Sequence, residues 1–267
     1  MTTVTSKDGT TIGYTRTGSG PAVVLVDGAL CYRTSSPNDS LAEELAPRFT
    51  VYTYDRRGRG ESGDTASYDV QREYEDLAAV IEAAGGSAHV YGISSGAALA
   101  LGAANQGLPI KRLAVYEAPF VVDDGRPPVP ADIAERTKAL VAAGKRGDAV
   151  ALFMRRAANL PAPVVTMMRV MPFWRRLKAV AHTLPYDYAA LGDDTGLGRP
   201  LPAYRFERIG SPTLVIAGGK SPQPMQSAMR ELAGVVPGSV HRTLDGQTHV
   251  VKATALAPVL TEFLIGS

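Results

Sequence analysis

Cysteine and histidine are scarce in this chain of 267 residues, which has one cysteine, Cys31, and four histidines. A single cysteine cannot form an intramolecular disulfide. No group of cysteine, histidine and carboxylate residues has the spacing of a metal site. We therefore expect no disulfide, no bound metal and no cofactor.

An excess of one charge is also absent, because 28 Lys and Arg face 26 Asp and Glu, for a formal net charge of +2. We interpret the clusters Arg56-Arg57-Gly58-Arg59 and Arg155-Arg156 as turn and helix-surface charges. No apolar run could span a bilayer, and the start of the chain lacks the features of a signal peptide. We expect a cytoplasmic protein without a nucleic-acid or membrane partner, and leave its oligomeric state open.

The chain does have enough apolar residues, 45% of the total, for one large core. Two alternating segments around Asp8-Gly9 predict a hairpin, and compact β-branched runs predict buried parallel strands. These runs are Ala22–Val26 and Phe49–Tyr54, and further strands are predicted at Ser87–Tyr91, Arg112–Tyr116, Pro212–Ala217 and Val240–Leu244. Helices are predicted at Leu41–Ala46, Val70–Ala84, Ala97–Leu101 and Leu256–Leu264. The alternation indicates an α/β fold with an open sheet.

One long interval, from Val121 to Arg208, interrupts this alternation. It begins with a proline-rich stretch and then offers helical segments near Ala131–Ala143 and Asp148–Ala158. It is too long for a simple connection. We predict a helical lid at 121–208, inserted in a core domain formed by 1–120 and 209–267.

The segment Gly92-Ile93-Ser94-Ser95-Gly96 lies between a predicted strand and a predicted helix. This is the setting of a nucleophile elbow, where glycines on both sides let a serine occupy a sharp, strained turn. Ser94 is therefore the candidate nucleophile. A serine hydroxyl needs a base, and His249, in the loop after the last predicted strand, is the best placed of the histidines.

Together these motifs resemble the α/β-hydrolase fold family over nearly the whole chain. The resemblance rests on Val26-Asp27-Gly28, the turn from Tyr54 to Ser62, the Ser94 elbow and Gly246-Gln247-Thr248-His249. It implies a mostly parallel eight-stranded sheet flanked by helices, the nucleophile Ser94, the general base His249 and an oxyanion hole of backbone N–H groups.

The third member of the expected triad departs from the common family pattern. The loop after the strand ending at Ala217 holds Ser221 where many members have an aspartate, and serine cannot stabilise an imidazolium. Glu117, which ends a neighbouring strand, is the preferred acid. This arrangement is similar to that of zearalenone lactonases and one subgroup of haloalkane dehalogenases. Asp245, four residues before His249, is the alternative.

The same resemblance places the oxyanion donors at the backbone N–H groups of Ser95 and Ala29, with Leu30 as an alternative to Ala29. Asp27 either organises this loop or touches the substrate. Cys31 is expected in the pocket wall or the core.

The predicted lid concentrates methionines and the single tryptophan. Met154, Met171 and Trp174 either line a site for an apolar small molecule or pack inside the lid. Because the pattern favours acyl chemistry, we predict a serine hydrolase acting on an ester or lactone. The alternatives are a cyclase, lyase or acyl transferase on the same fold, and a silent small-molecule receptor.

Overall fold

The sheet begins with an antiparallel hairpin, β1 (Thr2–Thr5) and β2 (Thr11–Gly18), in the computed structural model, which describes residues 2–266. Six mutually parallel strands follow. They are β3 (Ala22–Val26), β4 (Thr50–Tyr54), β5 (Ala88–Ile93), β6 (Ile110–Tyr116), β7 (Thr213–Gly218) and β8 (Val240–Leu244). The order of all eight strands in the sheet is β1-β2-β4-β3-β5-β6-β7-β8, so the predicted eight-stranded, mostly parallel sheet is confirmed.

Helices flank this sheet and also fill the interval between β6 and β7. They are α1 (Asn38–Leu45), α2 (Val70–Ala83), α3 (Ser95–Asn105), α4 (Ile133–Ala142), α5 (Arg146–Arg156), α6 (Ala162–Met168), α7 (Trp174–Ala179), α8 (Leu184–Leu191), α9 (Gln223–Val235) and α10 (Ala253–Ile265). Sequence analysis gives no element corresponding to α9. Within residues 2–266, none of the helices has the length and apolarity that crossing a bilayer requires. The cytoplasmic location stays a prediction.

Alternation along the parallel strands divides the core between the two faces of the sheet. On β3, Val24 and Val26 belong to an apolar cluster with residues of α2, α3 and α9. Val23 and Leu25 point to the opposite face, where α1 and α10 cover a second cluster. Because helices cover both faces, β3, β4, β5 and β7 are buried on both sides, as their continuous apolar sequences predict, whereas the edge strand β8 is partly exposed.

The inserted segment, residues 117–212, has an apolar cluster of its own. Trp174 belongs to this cluster and is 5% exposed, and Met154 packs against the cluster. Leu30, from the loop after β3, is the one fully buried member that comes from outside the inserted segment. The segment therefore rests on that loop through an apolar contact. The predicted division at 121–208 stays a prediction.

Candidate active site

Ser94 lies at the sharp turn between β5 and α3, with a φ of 57° and a ψ of −128°. A non-glycine residue rarely adopts this backbone, which costs on the order of 1–3 kcal/mol and must be held by its surroundings. The N–H of Ser94 donates to the carbonyl of Tyr116 at 2.9 Å. A Cβ on Gly92 would lie 2.5 Å from the carbonyl oxygen of Gly96. The sequence thus forms the predicted elbow because glycine lets the strand and helix approach.

His249 and Glu117 come together from distant parts of the chain. His249 Nδ1 lies 2.9 Å from Glu117 Oε2, and the carboxylate side chain is fully buried. The other carboxylate oxygen, Oε1, accepts from the Gly218 N–H at 2.7 Å. Since Nδ1 faces the carboxylate, Nε2 is the ring nitrogen available to a nucleophile.

Two features hold this pair at the carboxyl edge of the sheet. Glu117 directly follows β6 and has a φ of 47°, a positive value uncommon for a residue with a side chain. The hydroxyl of Tyr116 donates to the carbonyl of Thr248 at 2.6 Å and so fixes the loop before His249. Asp245 is exposed, and its carboxylate accepts no hydrogen bond within residues 2–266. Of the two candidate acids, the structure brings Glu117 to the histidine.

Of the predicted oxyanion donors, Ser95 directly follows Ser94, and Ala29 follows Gly28 in the loop after β3. Ser95 begins α3, where the first N–H groups of a helix have no partner within the helix. A Cβ on Gly28 would lie 3.0 Å from Ser94 Cβ, so the loop carrying Ala29 passes directly beside the nucleophile. Leu30 has a φ of 63° and packs its side chain into the cluster of the inserted segment.

Asp27 is 2% exposed and faces its own loop. Its carboxylate accepts hydrogen bonds from Ser36 Oγ and, at 2.8 Å, from Asn38 Nδ2. Burial raises the pKa of Asp27 to about 7 and that of the half-buried Cys31 thiol to about 12. Such contacts fit an organising role for Asp27, and a contact with substrate stays a prediction.

The three lid residues predicted to bind substrate lie in different environments. Trp174 is buried, and Met154 is half-buried against the same cluster, as expected for packing inside the inserted segment. Met171 is 45% exposed in the turn between α6 and α7. The sequence pattern alone could not separate the packed side chains from the exposed one.

Arg56, Arg57 and Arg59, interpreted as the charges of a turn, are all at most 1% exposed. Their position in a turn is as expected, but acidic residues from distant helices surround them. Arg56 pairs with Glu73 of α2 and Asp187 of α8, and Arg59 also pairs with Asp187. Asp187 was not predicted, because its arginine partners lie more than a hundred residues away and no local pattern marks it. By contrast, Arg155 and Arg156 are exposed on α5, as expected.

The remaining histidines do not approach Glu117. His89 is buried within β5, and burial, aided by Lys111 and Arg112, lowers its pKa to about 4. His182 lies 3.8 Å from Asp64 in the inserted segment, and His241 lies on the edge strand β8.

Comparisons with known proteins identify the family of the fold. The model of the alpha/beta hydrolase family matches residues 18–257, so the chain belongs to that family. A crystal structure of an alpha/beta hydrolase from Sphaerobacter thermophilus is similar, with 55% identity, a TM-score of 0.91 and coverage of 98% of this chain and 99% of that one. A hydrolase from Pseudomonas aeruginosa has 25% identity and a TM-score of 0.74, with coverage of 100% and 98%.

A more distant structure shares the fold alone. An enol-lactonase from Burkholderia xenovorans has 22% identity and a TM-score of 0.69, with coverage of 99% of this chain and 100% of that one. The comparison with curated proteins found no match.

Proposed function

We propose that the protein is a serine hydrolase that cleaves a carboxylic ester or lactone of an apolar small molecule. The observation that carries this proposal is the hydrogen bond between His249 Nδ1 and the buried carboxylate of Glu117, 2.9 Å long. A buried acid in this position fixes the tautomer and orientation of the imidazole and stabilises its protonated form. The strained elbow at Ser94 supplies the matching nucleophile.

The mechanism follows from these roles. Ser94 Oγ attacks the carbonyl carbon as His249 Nε2 takes its proton, and the N–H groups of Ala29 and Ser95 stabilise the negative oxygen that forms. The tetrahedral intermediate collapses to an acyl-enzyme, and the imidazolium returns the proton to the leaving alkoxide. Water, activated by His249, then adds to the acyl carbon and releases the acid and free Ser94. In a lactone the two products remain one hydroxy acid.

Intact-mass analysis after exposure to a small fluorophosphonate tests the triad. We expect one rapid adduct on the wild type, none on Ser94→Ala, and labelling of Glu117→Gln slowed by at least about 100-fold. Asp245→Asn is the matched control, because this carboxylate is exposed, and it should label at the wild-type rate. Normal labelling of Glu117→Gln would refute the acid assignment, and an unlabelled wild type would refute the serine mechanism.

A panel of esters and lactones then tests the reaction class. We expect mass spectrometry to find the acid and alcohol, or the hydroxy acid, with one solvent oxygen incorporated when the reaction runs in ¹⁸O-water. Products without solvent oxygen would refute hydrolysis in favour of cyclisation, elimination or acyl transfer.

A further inference from the structure

The peptide group between Gly28 and Ala29 is held from its carbonyl side. Arg59 Nη1 donates to the Gly28 carbonyl oxygen at 2.7 Å and to that of Cys31 at 3.3 Å. A trans peptide is planar, with its C=O and N–H pointing in opposite directions. A bond that fixes the Gly28 carbonyl therefore also fixes the direction of the Ala29 N–H. Within residues 2–266 that N–H has no acceptor, so it is free to receive a ligand oxygen.

Asp187 connects this arginine to the other predicted oxyanion donor. Its Oδ2 accepts from Arg59 Nη2 at 2.8 Å, and its Oδ1 accepts from Ser95 Oγ at 2.7 Å. Oδ1 also accepts from Arg56 Nη1 at 2.7 Å, and the same nitrogen lies 3.3 Å from the carbonyl oxygen of Asp27. The Asp187 carboxylate, 1% exposed, thus contacts Ser95 directly and the loop that carries Ala29 through Arg59.

We propose that Arg59 and Asp187 are positioning residues that align the N–H groups of Ala29 and Ser95 for the oxyanion and polarise that of Ala29. The proposal rests on the proposed function, because an oxyanion forms only in acyl chemistry. It assigns a purpose to a buried ion pair that the catalytic triad does not use.

The charges explain why an arginine suits this place. A guanidinium bound to a peptide carbonyl draws electron density from the peptide and makes the N–H at its other end a stronger donor. The cation is too expensive to bury alone, and its acceptors other than Asp187 are neutral oxygens of Gly28, Cys31 and Thr183. Asp187 is therefore the counter-ion that allows Arg59 to remain there.

Asp187 also belongs to α8 of the inserted segment, whereas the groups it holds belong to the loop after β3 and to α3. Any movement of α8 would be transmitted to both oxyanion donors through bonds of 2.7 to 2.8 Å. The placement of the inserted segment is thus part of the catalytic geometry.

The experiment compares Asp187→Asn with Asp76→Asn. Asp76 forms an equally buried pair with Arg57, with bonds of 2.6 and 2.7 Å, but contacts no predicted oxyanion residue. The readouts are kcat and KM for p-nitrophenyl butyrate, the Kd of phenylboronic acid, and Tm. The serine adduct of phenylboronic acid is a tetrahedral boronate, which places an oxygen where the oxyanion forms. Asp187→Asn loses the buried ion pairs with Arg56 and Arg59, and Asp76→Asn loses the pair with Arg57, so both should lose stability.

We expect only Asp187→Asn to lose kcat, by about 10-fold to 1,000-fold at an equal folded fraction, with KM within about threefold of the wild type. Its phenylboronic acid affinity should fall in parallel. Ser95→Ala, which keeps the backbone N–H and deletes one bond to Asp187, should fold normally and lose kcat by a few-fold.

Equal kcat values for Asp187→Asn and Asp76→Asn, or a change in KM alone, would overturn the positioning role. Should Asp187→Asn fail to fold, an unchanged kcat in Ser95→Ala would overturn it instead. A wild type that the fluorophosphonate does not label would overturn the proposed function as well. A labelled wild type with unaffected variants would overturn the positioning role alone.

Discussion

At the scale of single residues, close approaches of backbone segments build the site. A Cβ on Gly96 would lie 2.4 Å from the carbonyl oxygen of Val26 and 2.5 Å from that of Asp27. Real Cβ atoms do not come so near to backbone oxygens, so α3 could not start where it does with any other residue at position 96. Gly96 thus sets the distance between the elbow at Ser94 and the loop after β3.

Gly96→Ala should lower the free energy of unfolding by more than about 2 kcal/mol, because rigid backbone must move. Gly234→Ala is the matched control, since a Cβ at this position in α9 meets nothing within 4 Å. It should raise stability by about 0.5–1 kcal/mol through helix propensity. Urea unfolding measures both. A Gly96→Ala protein as stable as the wild type would show that the contact relaxes freely.

Residue patterns predicted part of the site and failed for the rest for a definable reason. Ser94 lies in a local motif, and chain order alone identifies His249. Glu117 was predicted from its place at the end of the strand next to that of Ser94, with the family resemblance as precedent, because its immediate neighbours form no motif. Arg59 and Asp187 are separated by 128 residues, so their pairing depends on how the inserted segment folds back.

At the scale of elements, the residues next to α2 determine where this helix begins and ends. Asp69 precedes it and accepts from the Gln71 N–H at 2.8 Å, and Gly85 and Gly86, both at positive φ, follow its end. The predicted helix, Val70–Ala84, differs from α2, Val70–Ala83, by one residue at its end. The short helices α6 and α7 have 7 and 6 residues, too few for a periodic pattern. The helix α9 buries only three residues, and this apolar stripe is too narrow to predict a helix from the sequence.

Asp69→Ala should lower the free energy of unfolding by about 1 kcal/mol, because the N–H of Gln71 loses its cap. Asp69→Asn keeps an acceptor oxygen and should stay within a few tenths of a kcal/mol of the wild type. Thermal unfolding of the two variants measures the difference. Equal losses in both would mean that the charge, rather than the hydrogen bond, stabilises the start of α2.

At the scale of the whole molecule, two buried groups give opposite dependences of stability on pH. Burial raises the pKa of Asp27 to about 7, against about 3.9 in an unfolded chain. Between these values the folded protein keeps a proton that the unfolded chain releases, so this contribution falls as pH rises. His89, with its pKa lowered to about 4, has the reverse effect up to about pH 6.5, because there the unfolded chain binds the extra proton.

Asp27→Asn removes the first of these contributions. We expect the free energy of unfolding of the wild type, minus that of the variant, to decrease as pH rises from about 4 to about 7. The difference for His89→Gln should increase from about pH 4 to about pH 6.5. Urea titrations at several pH values provide the curves. A difference for Asp27→Asn that does not change with pH would show that Asp27 titrates alike in both states.

The contact between Asp187 and Arg59 also limits how this enzyme can be re-engineered. Lids are attractive units to exchange between relatives when new substrates are wanted. A chimaera whose transplanted segment lacks an acid at position 187 would leave the buried Arg59 cation with only neutral hydrogen-bond acceptors. Position 187 and the turn that carries Arg59 must therefore be exchanged together, because their contact joins the inserted segment to the rest of the molecule.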